Sequence, residues 1–202
     1  MSRWREPPGA ADPDFWDRGY CIVPDFISAD MLAFLKSAME TSQQHGGLVR
    51  KTDAVPQGSF DQYSSLATEL LLKQSLSLIE AVTGRKLLPA YSYWRMYEHG
   101  AELIRHTDRE ACEISVTLPI HADPAEPQWP IWMRDLHGAE AAIALSPGSA
   151  AVYRGALVKH WREPLAGRVQ YQVFLHYVVA GGAFEAFAYD AAPAHAINRS
   201  RD

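Results

Sequence analysis

The chain has 202 residues and a mass of 22.5 kDa, so one domain with an elaborated edge is expected. Nineteen Lys and Arg against 24 Asp and Glu give a formal charge of −5, which excludes the basic field a phosphate backbone requires and with it a nucleic-acid partner. Apolar residues at 48% and charged ones at 21% are globular proportions, and no apolar run reaches the roughly 18 residues of a membrane helix.

Residues 1–14 are rich in Pro, Gly and charge and read as a mobile tail; the opening stretch has no apolar segment of signal-peptide kind, so the chain is expected in the cytoplasm. Two cysteines, Cys21 and Cys112, are too few for a disulfide scaffold and read as reduced thiols. Residues 15–190 form the expected domain and 191–202 a second tail. Gly19–Val23, closed by Pro24, suits a strand. Ser28 is placed to cap a helix in which Met31, Phe34, Leu35 and Met39 recur at spacings of three and four, ending at Gly46-Gly47. The polar stretch to Asp61, with Arg50 and Lys51, reads as a loop. A second helix follows Ser64 or Ser65, carries Leu66, Leu70, Leu76, Ile79 and Val82, and stops at Gly84.

From Leu87 the apolar period changes to two. Strands are predicted at Ala90–Tyr97, Leu103–Thr107, Glu113–Ile120, Pro130–Met133, Ala141–Leu145, Ala150–Tyr153, Val158–Trp161 and Val169–Val179. Eight short strands after two helices give an α+β, mainly β chain whose second part is a sandwich or barrel.

His-x-Asp occurs twice, and in a strand its two side chains share a face and can offer two ligands to one metal ion. His121-Ala-Asp123 runs into Pro124-Ala-Glu-Pro127 and reads as a loop; His106-Thr-Asp108 ends a predicted strand and is the better ligand pair. A third ligand must come from a distant strand, and His160 stands beyond the turn Ser146-Pro-Gly-Ser149. Two imidazoles and one carboxylate leave the opposite side of a metal open, which suits non-heme Fe(II), although zinc accepts the same set. Cys112 reads as a small core residue, and His176 as a satisfied strand histidine.

The ordered set Tyr97-x-x-Gly100, His106-x-Asp108, Pro147-Gly148-Ser149, His160 and a basic residue on the last strand resembles the Fe(II)/2-oxoglutarate-dependent dioxygenases, especially their prolyl-4-hydroxylase-like and phytanoyl-CoA-hydroxylase-like branches. Phe15-Trp-Asp-Arg-Gly-Tyr20 and Asp25-Phe-Ile-Ser28 look like the start of such proteins. The resemblance implies a double-stranded β-helix, a cupin-like jelly roll with amino-terminal support helices. It implies Fe(II) on His106, Asp108 and His160, with 2-oxoglutarate as cosubstrate and O2 as oxidant. The implied reaction is hydroxylation of a C–H bond in a small-molecule or peptidyl substrate, with release of succinate and CO2; the family's halogenating members lack the carboxylate that Asp108 supplies here.

The family's oxoglutarate anchor usually lies nine to eleven residues past the distal histidine. Here Arg168 lies eight past it and the tenth residue is Gln170, so Arg168 is the first choice and Arg162 the reserve. Tyr97 or Tyr93, and Ser115 or Thr117, are candidates for neutral hydrogen bonds to the cosubstrate. For substrate, Arg50 on an expected lid at 46–61 hints at an anion. Trp94 and Trp132 belong to an aromatic cluster that is core by default and in part a pocket wall. Two rivals remain: a zinc-dependent hydrolase or lyase on a cupin-like barrel, and a binding module without catalysis.

Overall fold

The computed structural model describes residues 15–50 and 58–190. The expected tails, 1–14 and 191–202, and Lys51 of the expected lid lie outside these residues. After a single turn α1 (Phe15–Arg18) come β1 (Tyr20–Val23), α2 (Ala29–Gln44), β2 (Val49–Arg50), β3 (Ser59–Tyr63) and α3 (Leu66–Thr83). Eight further strands follow: β4 (Leu87–Glu98), β5 (Leu103–His106), β6 (Ile114–Asp123), β7 (Ile131–Arg134), β8 (Glu140–Ile143), β9 (Ala150–Tyr153), β10 (Lys159–Arg162) and β11 (Val169–Val179).

Both long helices begin where the sequence places a cap. Ser28 Oγ accepts from Met31 N at 3.2 Å, and Ser65 Oγ accepts from Thr68 N at 3.2 Å, each satisfying one of the amides that a first turn leaves bare. α3 ends at Gly84, whose φ of +64° is the left-handed conformation glycine adopts without strain.

The strands form two antiparallel sheets, a large one in the order β1-β9-β6-β11-β4-β3-β2 and a small one in the order β5-β10-β7-β8. Antiparallel alternation gives the large sheet two unlike faces. Its outer face carries Trp94, Met96, Val116, Leu118, Val173, Leu175 and Tyr177, which pack with Leu35 and Met39 of α2 and Leu71, Leu72, Ile79 and Val82 of α3. Tyr177 fixes this layer by donating to the Leu72 carbonyl at 2.8 Å.

The inner face is organised in rungs that cross several strands. Tyr153, Ser115, His176 and Tyr91 form one; Ala151, Thr117, Phe174, Tyr93 and Tyr63 the next. Pro119, Gln172, Arg95 and Asp61 form a third, and Ala122, Gln170, Tyr97 and Ser59 a fourth. The small sheet closes over this face, so the larger apolar core lies under the helices, while between the sheets a smaller apolar cluster with Ile131, Met133, Ile143 and Val158 adjoins a space lined by aromatic and polar residues.

Two expectations are corrected. The stretch to Asp61 holds strands β2 and β3, whose inward residues Ser59 and Asp61 are polar, so no apolar period betrays them. His121 and Asp123 belong to β6, which continues to Asp123 because Ala122 and Asp123 stay paired with Gln170 and Val169 of β11. No helix among the described residues is long and apolar enough to cross a membrane.

Candidate metal centre

His106 and His160 face each other across neighbouring strands, since β10 and β5 pair antiparallel with these two residues in register. Their rings lie 4.3 Å apart, centroid to centroid. His106 Nδ1 lies 2.8 Å from the Ile104 carbonyl and His160 Nδ1 lies 3.0 Å from the Val158 carbonyl. A carbonyl can only accept, so both Nδ1 atoms carry a proton, and in the neutral form of each ring Nε2 is left with a bare lone pair. This is how a metal-binding imidazole is held by its other nitrogen.

Asp108 follows β5 by two residues, and its backbone amide donates to the Gly155 carbonyl at 2.9 Å. Its Oδ1 lies 3.4 Å from His106 Nε2 and 3.6 Å from His160 Nε2. One donor atom from each of the three residues falls within 4.8 Å of the others, the one such group among the described residues. Ligands at right angles on bonds of about 2.1 Å stand about 3 Å apart, so the two distances from the carboxylate to the imidazoles are already close to what an ion on one face requires.

Electrostatics agree with that use. Burial disfavours charge on Asp108, but the hydrogen bond from His106 and the nearby imidazoles outweigh it and hold the carboxyl below its usual range. Burial pushes His160 down, toward the neutral form a metal requires. His106 differs: burial acts the same way, yet the bonds to Asp108 and the Ile104 carbonyl prevail and raise it, so a proton on Nε2 facing Asp108 competes with an ion there.

A cavity of about 160 Å³ opens beside the three ligands, lined also by Tyr93, Arg95, Tyr97, Tyr153, Arg162 and Phe174. Arg162 is 3% exposed. It donates from Nη1 to the Trp129 carbonyl at 2.6 Å, stacks 4.6 Å over the Trp129 ring, and has no carboxylate partner among the described residues. Burial without such a partner pushes its guanidinium down to about 10. The hydroxyl of Tyr97 is buried in the same cavity with no hydrogen-bond partner. Arg95, by contrast, is neutralised by Asp61 through bonds of 2.5 and 2.7 Å. The cavity walls thus hold one ligand carboxylate and one uncompensated cation. A divalent ion would leave two positive charges there, the complement of a small dianion.

Other sequence candidates fall elsewhere. Arg168 is 81% exposed in its side chain and pairs with Asp123 away from the cavity, because β11 begins only at Val169 and Arg168 precedes its first rung. Thr117 accepts from Gln172 Nε2 at 2.7 Å, and Gln172 in turn accepts from Gln170, so the polar inner side chains of β11 are bonded among themselves. Ser115 lies beneath Asp108, with Oγ 3.3 Å from Oδ2. Tyr93 does line the cavity, stacked on Tyr63 and Phe174 at 4.7 and 4.5 Å. Trp94 points the opposite way, into the helix-covered core, where its Nε1 donates to Gln62 at 2.8 Å. Trp132 stacks on Trp161 at 5.8 Å on the outer face of the small sheet, since its neighbours Ile131 and Met133 take the inner one. Arg50 lies on β2, paired with Glu98 at 2.8 Å and stacked over Phe60, away from the cavity.

Sequence reasoning passed over Arg95 and Gly155. Arg95 was visible as the middle member of an i, i+2 series with Tyr93 and Tyr97. A Cβ on Gly155 would meet Asp108 Oδ2, the Cys112 carbonyl and Ser115 Oγ, each at 2.5 Å, a constraint no local pattern reveals.

No protein-family model and no curated protein matches the sequence. Solved structures do match it. A prolyl-4-hydroxylase from Pseudomonas putida is 19% identical, with a TM-score of 0.67 over 82% of this chain and 96% of that one. SnoN, a non-heme alpha ketoglutarate dependent epimerase from nogalamycin biosynthesis, is 14% identical, with a TM-score of 0.70 over 82% and 80%. A prolyl hydroxylase from Trichoplax adhaerens, solved with a peptide of the hypoxia inducible factor oxygen degradation domain, is 14% identical, with a TM-score of 0.68 over 82% and 86%. The expected double-stranded β-helix with amino-terminal helices is therefore the fold of this chain.

Proposed function

We propose that this chain is an Fe(II)- and 2-oxoglutarate-dependent oxygenase that hydroxylates a C–H bond of a small-molecule or peptidyl substrate. One observation carries the reading: a cavity that joins three convergent candidate ligands to a buried guanidinium with no carboxylate partner among the described residues. The structures that share the fold support it, among them SnoN solved with Fe3+, alpha ketoglutarate and nogalamycin RO, and HygX solved with nickel, 2-oxoglutarate and hygromycin B.

His106, Asp108 and His160 would hold the iron on one face. Iron loaded with the 2-oxo acid supplies the two-electron oxidation by O2 that protein side chains cannot perform. Arg162 and Tyr97 would take the distal carboxylate of 2-oxoglutarate, the guanidinium by charge-assisted bonds and the phenol by a neutral one. Tyr93, Phe174, Leu103 and Ile131 form the apolar part of the wall and keep water from the reacting centre. His106 is about a third exposed in its side chain whereas His160 is buried, so the open side of the centre, and the approach for substrate, lies along β5.

The test is anaerobic addition of Fe(II) and 2-oxoglutarate to the purified chain, followed by O2. A visible absorption band on mixing and succinate on oxygenation are expected, and His106→Ala should abolish both. Undiminished oxoglutarate turnover by that variant, or tight zinc binding with no band in the wild type, overturns the assignment; the second outcome favours the hydrolase.

A further inference from the structure

The first inner rung of the large sheet, Tyr153, Ser115, His176 and Tyr91, runs beneath the carboxylate of Asp108. Ser115 Oγ faces Asp108 Oδ2 at 3.3 Å, the Cys112 carbonyl at 3.3 Å and His176 Nδ1 at 3.0 Å, and the Tyr153 hydroxyl is hydrogen-bonded to the same side chain. Two of these, a carboxylate and a carbonyl, accept only, so the single hydroxyl proton is drawn to them and His176 Nδ1–H donates to Oγ. That assignment leaves His176 Nε2 without a proton, and Nε2 has no hydrogen-bond partner in its buried position. The ring is stacked on Tyr91 at 4.4 Å and is 1% exposed. On the other side, Gly155 closes the floor, leaving no room for even a methyl group between Asp108 Oδ2 and Ser115 Oγ.

We propose that His176 and Ser115 are positioning residues for the metal-binding carboxylate: a relay from His176 Nδ1 through Ser115 Oγ to Asp108 Oδ2 turns Oδ1 toward the two Nε2 atoms. This rests on the reading of Asp108 as a ligand. Its consequence is coordination through one oxygen only. A carboxylate free to rotate could chelate through both oxygens and occupy a position that the 2-oxo acid or O2 must take; with Oδ2 bonded from below, the protein fills three positions and no more. The 3.3 Å contact is longer than the usual hydroxyl bond of about 2.8 Å, so it can shorten as Oδ1 is drawn onto a cation.

Co(II) binding to the metal-free full-length chain tests this, read from the visible bands of the bound ion. Ser115→Ala and His176→Phe should each weaken binding about 10- to 100-fold and alter the band pattern, the usual range for a lost partner of a ligand. The double variant should be no weaker than Ser115→Ala, because one relay is broken either way. His176→Asn keeps a donor near the Nδ1 position but loses the ring, and should bind within about threefold of wild type. A purely packing role gives the reverse order, with His176→Phe intact and His176→Asn impaired, and overturns the proposal, as does wild-type binding by Ser115→Ala. Should His176→Phe fail to fold by thermal denaturation, the Ser115→Ala and His176→Asn pair decides alone. A wild type that takes up no Co(II) instead removes the metal site and this inference with it.

Discussion

Arg162 follows His160 by two residues on β10, so a guanidinium and an imidazole of the candidate metal centre enter one cavity from the same face of one strand. In the family that the sequence resembles, the cation sits on the last strand, about ten residues past the distal histidine. Here that position is Gln170, whose amide is spent on Gln172. A buried guanidinium stands instead on β10 of the small sheet, where no carboxylate among the described residues meets it.

Arg162→Gln should therefore weaken 2-oxoglutarate binding about 10- to 100-fold, the worth of charge-assisted hydrogen bonds of about 1.5–3 kcal/mol. Arg168→Gln should leave it within twofold, because that side chain lies in solvent against Asp123. Calorimetric titration of the Co(II)-loaded chain separates the two. Removing an unpaired buried charge also relieves a desolvation penalty, so ligand-free Arg162→Gln should melt no lower than wild type. A variant that binds normally, or that melts lower without ligand, contradicts the assignment.

Gly155→Ala places a methyl group 2.5 Å from each of three atoms, two of them the partners Asp108 Oδ2 and Ser115 Oγ. Overpacking of this kind costs about 1–3 kcal/mol, and relief requires the Asp108 carboxylate to move together with the Ser115 hydroxyl and the Cys112 carbonyl. Lower stability in urea together with weaker Co(II) uptake is expected; a destabilised variant with unchanged uptake would show that the floor bears on folding alone.

Trp94 and Trp132 distinguish core from pocket wall. Trp94→Phe loses the bond to Gln62 and part of the packing under α3, and should lower stability by about 1–3 kcal/mol while leaving 2-oxoglutarate affinity unchanged. Trp132→Phe, on the outer face, should change neither by a measurable amount beyond its stacking on Trp161. A rise in the dissociation constant for either variant would place the ring at the cavity after all.

What was legible in the sequence were features that a local pattern encodes. Ser28, Ser65 and Gly84 announce helix ends through the backbone groups they satisfy, and the period of two from Leu87 follows from alternate burial. His106 and Asp108 were readable from their spacing at a strand end, although β5 stops at His106 and Asp108 is held instead by its amide's bond to the Gly155 carbonyl. The direction of Trp94 was not: β4 buries both faces, one under helices and one around the cavity, so alternation of apolar with polar residues vanishes and a ring can go either way. β3 was hidden for the related reason that Asp61 is buried by pairing with Arg95, 34 residues away, which makes an inward position look like a loop residue. Gly155 and the choice between Arg162 and Arg168 depend on contacts between the sheets, which exist only once the barrel is closed.

His176 also sets a pH dependence of stability. Burial holds its imidazole at about 4, against about 6.5 in an unfolded chain. Above pH 6.5 both states are neutral at this residue and its contribution is complete. As pH falls from 6.5 to 4 the unfolded chain takes up a proton that the folded chain refuses, so unfolding gains about 1.4 kcal/mol per unit and about 3 kcal/mol across the window. Carboxylates such as Asp108 add acid sensitivity of their own, so the informative quantity is the difference between wild type and His176→Asn, measured by urea unfolding of the metal-free chain at pH 7, 6, 5 and 4.5. His176→Asn should be the less stable at pH 7, having lost the stacked ring, and the gap should narrow steadily on acidification. Parallel pH curves for the two proteins would mean that His176 takes up its proton in the folded chain over the same pH range as in the unfolded one, and the protonated ring would then need an acceptor at Nε2, which the surrounding rings do not provide.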